Sequence, residues 1–455
     1  MRRLSEVTRK VNGIAESSTM RRSHHLGILA IGLLLLSLTA FAPKQAVGAD
    51  QEPAYGMALE AAIDHLVTSN YRLRTQFQEI PQARADELTA SLRNAPAIFV
   101  DGNQLPYGSY SERRPGVATY EVSPALNVDY SGKRRSHMRQ TRFATRQVEA
   151  LYQNAVREEI DHLYDAYVDV LQNHEMVRMS HANLASLTEI AGEAQKRIRQ
   201  GKPAELEMTD LSVQQFKATS AVGDAEMQQL EANRKLADLL ALPANGADGL
   251  QVHGSLHDRS ASPPSAKELL CLALESRPDL MAERLGVEYD RATMQVVQAE
   301  RFDDAIVFYA PFQADNNRPQ GKQVSTSWGA GAGTTMPLLD RSQGNIRRAR
   351  IILTQRQIEL QGLERRIANE VQRAQTEYEA SREVVRHYEQ DGLPAITRLR
   401  DESHRRFAAG EEALASLLDS QKNYHEESRR YLEALGRHRR AMLKLNTIVG
   451  QRILP

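Results

Sequence analysis

The chain has 455 residues, and its 58 basic and 58 acidic side chains give a formal net charge of zero. This balance gives no reason to expect a nucleic-acid partner, because proteins that bind nucleic acids carry a basic excess. Only 5% of the residues are aromatic, whereas 25% are charged. The composition therefore favours long helices that bury narrow apolar seams over one large compact core.

The chain begins with a predicted export signal. Arg21 and Arg22 precede an apolar run at residues 26–42, and small residues follow before position 50. A basic region, an apolar core and a small-residue cleavage site are the parts of a secretory signal, so we predict a cleaved signal peptide at residues 1–49. The alternative is an uncleaved membrane anchor, but a spanning helix needs about 20 apolar residues. The exported chain would then be soluble or inserted as a β-barrel.

Two halves of the same layout follow the signal. Residues 50–242 and residues 266–455 each predict a helix, two strands and a long helical hairpin, and a linker rich in Pro, Gly, Ser and Asp joins them at 243–265. The predicted first helices cover 56–93 and 265–301. Landmarks recur between the halves at nearly equal offsets, which predicts an internal duplication. The matched residues are Gly132 with Gly344, Arg197 with Arg406, Gly201 with Gly410 and Asp210 with Asp419.

The residues between the helices alternate with the period of a β-strand. From 118 to 130 the even positions are apolar and the odd positions are mostly polar. From 324 to 338 one side is mostly apolar, and the other carries Gly329, Gly331 and Gly333. Shorter partner strands are predicted at 96–100 and 305–313, the second with Ile306, Phe308, Ala310 and Phe312 on one face.

The glycine row could instead form a phosphate-binding loop. A P-loop ends in Gly-Lys-Ser/Thr, yet no lysine lies between Gly329 and Arg350. A dinucleotide-binding loop needs a third glycine where Thr334 stands. We therefore interpret the row as one face of a strand, where missing side chains leave room in a lumen or allow strong curvature.

The four strands predict a membrane barrel that several chains share. An exported chain with two-faced strands can turn its apolar faces to lipid and its polar faces to a lumen. Four strands cannot close a barrel, and open sheet edges are not tolerated in hydrocarbon, so further chains must complete it. The alternative is a small soluble sheet that packs on the helices.

Each predicted hairpin is far longer than a compact domain needs. Apolar residues recur at coiled-coil spacing from 342 to 390, and the first half is free of proline from 134 to 200. In the second half, Gly392 and Pro394 predict a kink or a restart of the helix. Glycine-containing turns near 201 and 410 would reverse the chain.

Five motifs in this order resemble the TolC-like outer-membrane efflux proteins. They are SGKRR at 131–135, ESRPDL at 275–280, MPLLDRSQGNIRRAR at 336–350, GLPAI at 392–396 and RFAAGEEALASLLDSQ at 406–421. The resemblance departs from the family pattern at Asp304, where members often have proline, and in the lack of a cysteine after the signal.

The resemblance implies a mainly α fold with a small β part, in which long helical hairpins form an α-barrel. Three copies would share a transmembrane β-barrel in the outer membrane, and the helices would extend into the periplasm. The hairpin ends would dock on a periplasmic adaptor that connects to an inner-membrane pump. Such a homotrimer contacts outer-membrane lipid, is a passive duct and is no enzyme, so the resemblance predicts no cofactor and no catalytic residue.

The resemblance also assigns functional residues. The predicted adaptor-docking residues are Arg197, Gly201, Arg406 and Gly410. The predicted acids of the closed aperture are Asp210 and Asp419, and the predicted strand-to-helix joints are Gly132, Pro337 and Gly344. The alternative is that these glycines only cap helices and that these charged residues are only solvated surface groups.

The sequence leaves two further questions open. His174, Met176, Met179 and His181 include soft metal ligands, but we interpret them as packing or surface residues and predict no metal site. The alternatives to a duct are a periplasmic coiled-coil adaptor and a structural protein without a barrel. The exported cargo is not predicted, although the Gly-Lys-Arg sequence from Gly132 resembles members that work with metal-exporting pumps.

Overall fold

The computed structural model describes residues 56–454, with gaps at 106, 109–110, 112, 114–116, 200–204, 244–245, 248–249, 258–262 and 317–322. The predicted signal peptide at 1–49 and the predicted docking residue Gly201 lie outside the described residues. In the described part of the chain, none of the helices combines the length and the apolar character that a membrane span requires.

Helices dominate both halves, and short strands separate them. The first half contains β1 (Gly56–Ala58), α1 (Leu59–Ser69), α2 (Tyr71–Phe77), α3 (Glu79–Ser91), β2 (Ala97–Asn103), β3 (Ala118–Val128), α4 (Lys133–Arg199) and α5 (Glu205–Leu239). The second half contains β4 (Gln251–His253), α6 (Ala266–Ser276), α7 (Pro278–Glu300), β5 (Ala305–Asn316), β6 (Ser325–Gly333), α8 (Gln343–His387), a π-helical segment (Tyr388–Gly392), α9 (Leu393–Ala409) and α10 (Leu414–Val449).

The prediction that each half begins with one continuous helix was wrong. The helix predicted at 56–93 is divided into α1, α2 and α3, because Asn70 is extended and its side chain accepts a hydrogen bond from the Leu73 amide, which caps a new helix. The helix predicted at 265–301 is divided between α6 and α7, because Arg277 is extended before Pro278.

A π-helical segment precedes Pro394, where a kink or a restart of the helix was expected. The helix continues through the π-helical segment, which leads directly into α9. Because proline has no amide hydrogen and crowds the preceding turn, one wider turn accommodates Pro394 without ending the helix.

Strands form two separate sheets. β1 pairs in parallel with β4, so the predicted linker region is tied to the start of the described chain. The other four strands form an antiparallel sheet in the order β2-β3-β5-β6, which leaves β2 and β6 as its edges. The proposed division into repeats and a linker stays a prediction.

The long helices lie side by side in a row. α5 packs on α4, α4 packs on α10, and α10 packs on α8 and α9, so α5 and the α8–α9 helix are the two outer members. The larger apolar cluster includes Leu66, Leu163, Leu269, Ile367 and Met442. A second cluster near the hairpin ends includes Ile190, Leu211, Phe407 and Leu414.

Candidate functional site

The four-stranded sheet has one apolar face and one polar face. Side chains alternate along each strand, and paired residues share a face, so the register assigns every side chain. The apolar face carries Ile98, Val100, Tyr120, Val122, Leu126, Val128, Val307, Tyr309, Phe312, Trp328, Ala330 and Ala332. The opposite face carries the polar residues Asp101, Asn103, Thr119, Glu121, Ser123, Gln313, Asp315, Ser325 and Ser327, and at one end the apolar residues Ala97, Phe99, Ala125, Ile306, Phe308 and Ala310. We call these the apolar face and the polar face.

One prediction about these faces was wrong. Phe312 does not share a face with Ile306, Phe308 and Ala310, because the register between β5 and β6 shifts between Ala310 and Gln313. A bulge of one residue exchanges the two faces of a strand. Phe312 therefore lies on the apolar face, whereas Ile306 and Phe308 lie on the polar face with the glycine row.

Phe308 gives the glycine row a structural reason. It pairs directly with Gly331, and a Cβ atom added to Gly331 would lie 2.4 Å from Cζ of Phe308. The ring therefore lies over the glycine backbone. Gly329 faces Ala310 at an ordinary contact distance of 3.8 Å, and a Cβ added to Gly333 meets no atom of the described structure within 4 Å.

The first strand-to-helix joint is held by Asp129. Its carboxylate accepts hydrogen bonds from the amides of Gly132, Lys133 and Arg134 at 2.8–3.0 Å, and so caps α4. Partial burial alone would raise the pKa of Asp129, but these backbone hydrogen bonds outweigh burial and lower it. Gly132 has φ +78, a left-handed conformation that glycine adopts without strain.

The second joint uses a different residue from the one that sequence matching selects. Ser342, directly before α8, is left-handed with φ 54, whereas Gly344 lies inside the first turn of the helix. Ser342 is thus the conformational counterpart of Gly132. Pro337 lies between the end of β6 and this cap.

Replacing Ser342 with glycine is expected to stabilise the protein by about 0.5–1 kcal/mol. A left-handed conformation costs an L-residue about 1–2 kcal/mol, and glycine removes this strain. The greater conformational freedom of glycine in the unfolded chain offsets part of that stabilisation. The serine hydroxyl does not cap the helix, so little is lost with it. Thermal unfolding in detergent at a fixed protein concentration measures the change. Gly132→Ala is the opposite substitution, and an increase in its melting temperature would contradict this explanation.

Of the two hairpin ends, the structure describes the one near Gly410 completely. Gly410 ends α9 with φ +89, and the amides of Gly410 and Glu411 donate to the carbonyls of Phe407 and Arg406. Gly410 therefore caps the end of α9, and its role in docking stays a prediction. Arg406 is half exposed, with its Nε 3.9 Å from Oε2 of Glu412.

The remaining predicted residues of the hairpin ends are spread over three helices. Arg197 lies near the end of α4, and Asp210 and Asp419 are exposed near the starts of α5 and α10. Their roles in docking and in the aperture stay predictions.

The histidines and methionines considered as metal ligands lie in different surroundings. His174 and Met179 line a cleft of about 720 Å³ beneath residues 252–257, whereas Nε2 of His181 lies 3.2 Å from Oε1 of Glu226. Within the described ranges, no group of three or more His, Cys, Asp and Glu residues could hold a metal ion. The cleft itself could not be predicted, because three separate segments form it.

Comparisons with known proteins identify the fold and a family match in the second half of the chain. Residues 269–451 match the family described as Outer membrane efflux protein. The chain is 22% identical over 403 residues to the cobalt-zinc-cadmium resistance protein CzcC of Cupriavidus metallidurans, which covers 88% of this chain and 92% of the relative.

Solved structures with the same fold are outer-membrane channels. The Campylobacter jejuni CmeC outer membrane channel has a TM-score of 0.70 and 14% identity over 92% of this chain and 94% of that chain. The Neisseria gonorrhoeae MtrE outer membrane channel in its open state has a TM-score of 0.68 and 15% identity over 89% and 94% of the two chains. Together with the family match, they confirm the resemblance that the motifs predict. The chain is therefore similar to the TolC-like outer-membrane efflux proteins over most of its length, and its residues 269–451 match the model of the outer membrane efflux family.

Proposed function

We propose that three copies of the chain form a passive export duct in the outer membrane, with a shared β-barrel and a periplasmic tunnel of helices. The apolar face of the four-stranded sheet is the observation that carries this proposal. Its side chains are exposed in the single chain, with Ile98 and Trp328 each 71% accessible. An apolar surface of this kind needs a nonaqueous environment, and lipid supplies it.

The sheet has features that favour the barrel over a soluble sheet. None of the described helices packs extensively on it, so its apolar face is not covered by the helices of its own chain. Its two edge strands, β2 and β6, have free backbone groups along one side. Pairing of β6 with β2 of the next copy would satisfy both edges and close the barrel.

The row of helices supports the same assembly. Its outer helix α5 exposes residues spaced by three and four, which is the pattern of a coiled-coil seam. These residues are Val213, Phe216, Ser220, Gly223 and Met227, with Phe216 76% accessible. At the opposite end of the row, α9 exposes Ala395, Leu399, Glu402 and Arg406 at the same spacing. We call these two stripes the α5 seam and the α9 seam.

Head-to-tail contact would bring the two seams together. An interface between unlike surfaces closes into a ring when the rotation between copies is suitable. The hairpin ends of one chain lie at similar heights, because Nε2 of His404 in α9 is 3.8 Å from Oε1 of Glu193 in α4. Counting back from the hairpin ends places Phe216 at about the height of Leu399 of the next copy.

Cysteine cross-linking tests this contact. In a Cys271→Ser background, the pair Phe216→Cys and Leu399→Cys is expected to form a disulfide between copies under mild oxidation. The products should include covalent trimers on a denaturing gel. Lys217→Cys with Leu399→Cys is the matched control, because Lys217 lies one residue outside the α5 seam. Equal cross-linking by both pairs, or monomers only, would count against the proposed ring.

The docked partners are a periplasmic adaptor and an inner-membrane pump, and the cargo we propose is divalent metal ions. The cargo proposal is supported by the name of the curated relative, a cobalt-zinc-cadmium resistance protein. Deletion of the gene should then lower the tolerated concentration of these metals. Unchanged metal tolerance together with lower tolerance of organic drugs would contradict the proposed metal cargo. That outcome would still agree with an export duct, whose cargo would be organic drugs.

A further inference from the structure

The bulge in β5 separates an apolar end of the polar face, which contains Phe308, from its hydrophilic remainder. β5 advances by three residues, from Ala310 to Gln313, where β6 advances by two, from Gly329 to Ser327. The pairing of β5 with β3 shifts at the same place. Beyond the bulge, the side chains of β5 on the polar face are Gln313 and Asp315; before it, they are Ile306 and Phe308.

The polar face is a hydrophilic surface apart from this end. Oγ1 of Thr119 donates to Oδ1 of Asp315 at 2.8 Å, and serines occupy the paired positions of β6. In the proposed barrel this face lines the lumen. Phe308 lies there among small and apolar residues, because it pairs with Ala125 and Gly331 and has Ile306 and Ala310 two positions away on its own strand.

Gly331 sets the orientation of the ring. Because an added Cβ would lie 2.4 Å from Cζ and 2.7 Å from Cε1 of Phe308, the ring occupies the space above the glycine. The ring lies along the strand wall instead of extending from it. Any larger residue at position 331 would require the ring to move away from the strand backbone.

The ring also lies at a defined height in the duct. Phe308 is near the start of β5, shortly after α7, and Gly331 is close to the end of β6 before α8. Ala125, which pairs with Phe308 on the other side, is close to the end of β3 before α4. All three residues therefore lie near the end of the sheet that leads to the helices.

We propose that Phe308, seated on Gly331, forms an aromatic collar that lines the lumen where the barrel meets the helical tunnel. The collar rests on the proposed trimeric barrel, in which three copies of Phe308 surround the passage. The far end of each ring lies over its glycine, so the ring stays near the wall and cargo meets an apolar surface at this height. The collar would determine how easily cargo crosses from the tunnel to the barrel.

Cysteine accessibility tests which face Phe308 occupies. Single cysteines replace Phe308, Tyr309, Phe312 and Gln313 in the Cys271→Ser background, and isolated outer membranes are treated with a charged, water-soluble maleimide. Phe308→Cys and Gln313→Cys are expected to react at similar rates. The reaction rates of Tyr309→Cys and Phe312→Cys are expected to be lower by about ten-fold or more, because a thiol in apolar surroundings stays protonated.

The outcomes separate the collar from the barrel. Rapid reaction at Gln313→Cys with slow reaction at Phe308→Cys would leave the barrel in place and overturn the collar. Equal reaction at all four positions, or slow reaction at Gln313→Cys, would overturn the proposed barrel and the collar with it. Trimer content on an unheated gel shows in each case whether the variant has assembled.

A second test addresses the seat on Gly331. Gly331→Ala is expected to reduce metal tolerance of cells that depend on the duct, whereas Gly333→Ala is not, because a Cβ there meets open space. Phe308→Ala added to Gly331→Ala should restore tolerance, since the displaced ring is gone. Equal effects of the two glycine variants at equal trimer content, or no restoration by Phe308→Ala, would overturn the collar.

Discussion

Replacement of Arg277 with alanine is expected to lower the free energy of unfolding by about 3–5 kcal/mol, the usual cost of removing one partner of a buried ion pair. The Arg277 side chain is only 4% exposed. Its guanidinium donates to both oxygens of Asp279, at 3.0 and 2.6 Å, and to Oε2 of Glu370 at 2.7 Å. Alanine would leave both carboxylates without this cation in a partly buried position.

The ionisation of Asp279 supports the direction of the effect. Burial alone would raise the pKa of Asp279, but hydrogen bonding and the charges of Arg277 and Arg157 outweigh burial and lower it. A lowered pKa contributes stability above the ordinary value of 3.8 that is lost as the pH falls through the folded value. The difference in stability between wild type and Arg277→Ala should therefore shrink in acid.

Arg284→Ala is the matched control. Arg284 lies in α7, which begins directly after Arg277, and its Nη2 is 3.4 Å from Oε1 of Glu364, with both side chains more than 40% exposed. Removing an exposed pair costs about 0–1 kcal/mol. Chemical unfolding of the three proteins at one concentration compares them. Similar losses in Arg277→Ala and Arg284→Ala would contradict a buried ion pair at Arg277.

Replacement of Tyr378 with alanine is expected to cost about 3–5 kcal/mol, because it leaves a cavity in the core between α8 and α10. Tyr378 has no exposed surface. Its ring centre lies 5.1 Å from that of His438, whose Nδ1 is 2.9 Å from Oγ of Ser381. The phenol ring thus packs against a polar pair that joins the same two helices.

Tyr378→Phe separates the ring from its hydroxyl group. Phenylalanine keeps the ring and the contact with His438, so its loss should be near the 0.5–1.5 kcal/mol typical of one hydrogen bond, roughly a third of the alanine effect. Thermal unfolding of both variants under identical conditions provides the measurement. Equal losses in the two variants would show that the hydroxyl group, and not ring packing, carries the contribution of Tyr378.

The sequence predicted the features that depend on regular repeats. β3 and β6 alternate along their length, so their apolar faces were predictable, and the long helices begin within one or two residues of the predicted positions. The division of residues 56–93 was harder, because it depends on the capping geometry of Asn70.

Features set by pairing between distant segments could not be predicted. The bulge at Ala310 is visible only in the register of β5 against its neighbours, and it moves Phe312 to the apolar face. The pairing of β1 with β4 joins short segments without a repeating pattern. The left-handed cap at Ser342 was hidden because Gly344, two residues later, matched Gly132 in sequence.

Electron microscopy of the purified protein in lipid nanodiscs tests the shared duct most directly. We expect a threefold particle with a closed barrel of twelve strands, four from each chain, in which β6 of one copy pairs with β2 of the next. The apolar face should meet lipid, and α5 should contact α9 of a neighbouring copy. A single chain with an open sheet, or a sheet whose apolar face is covered by protein, would contradict the account.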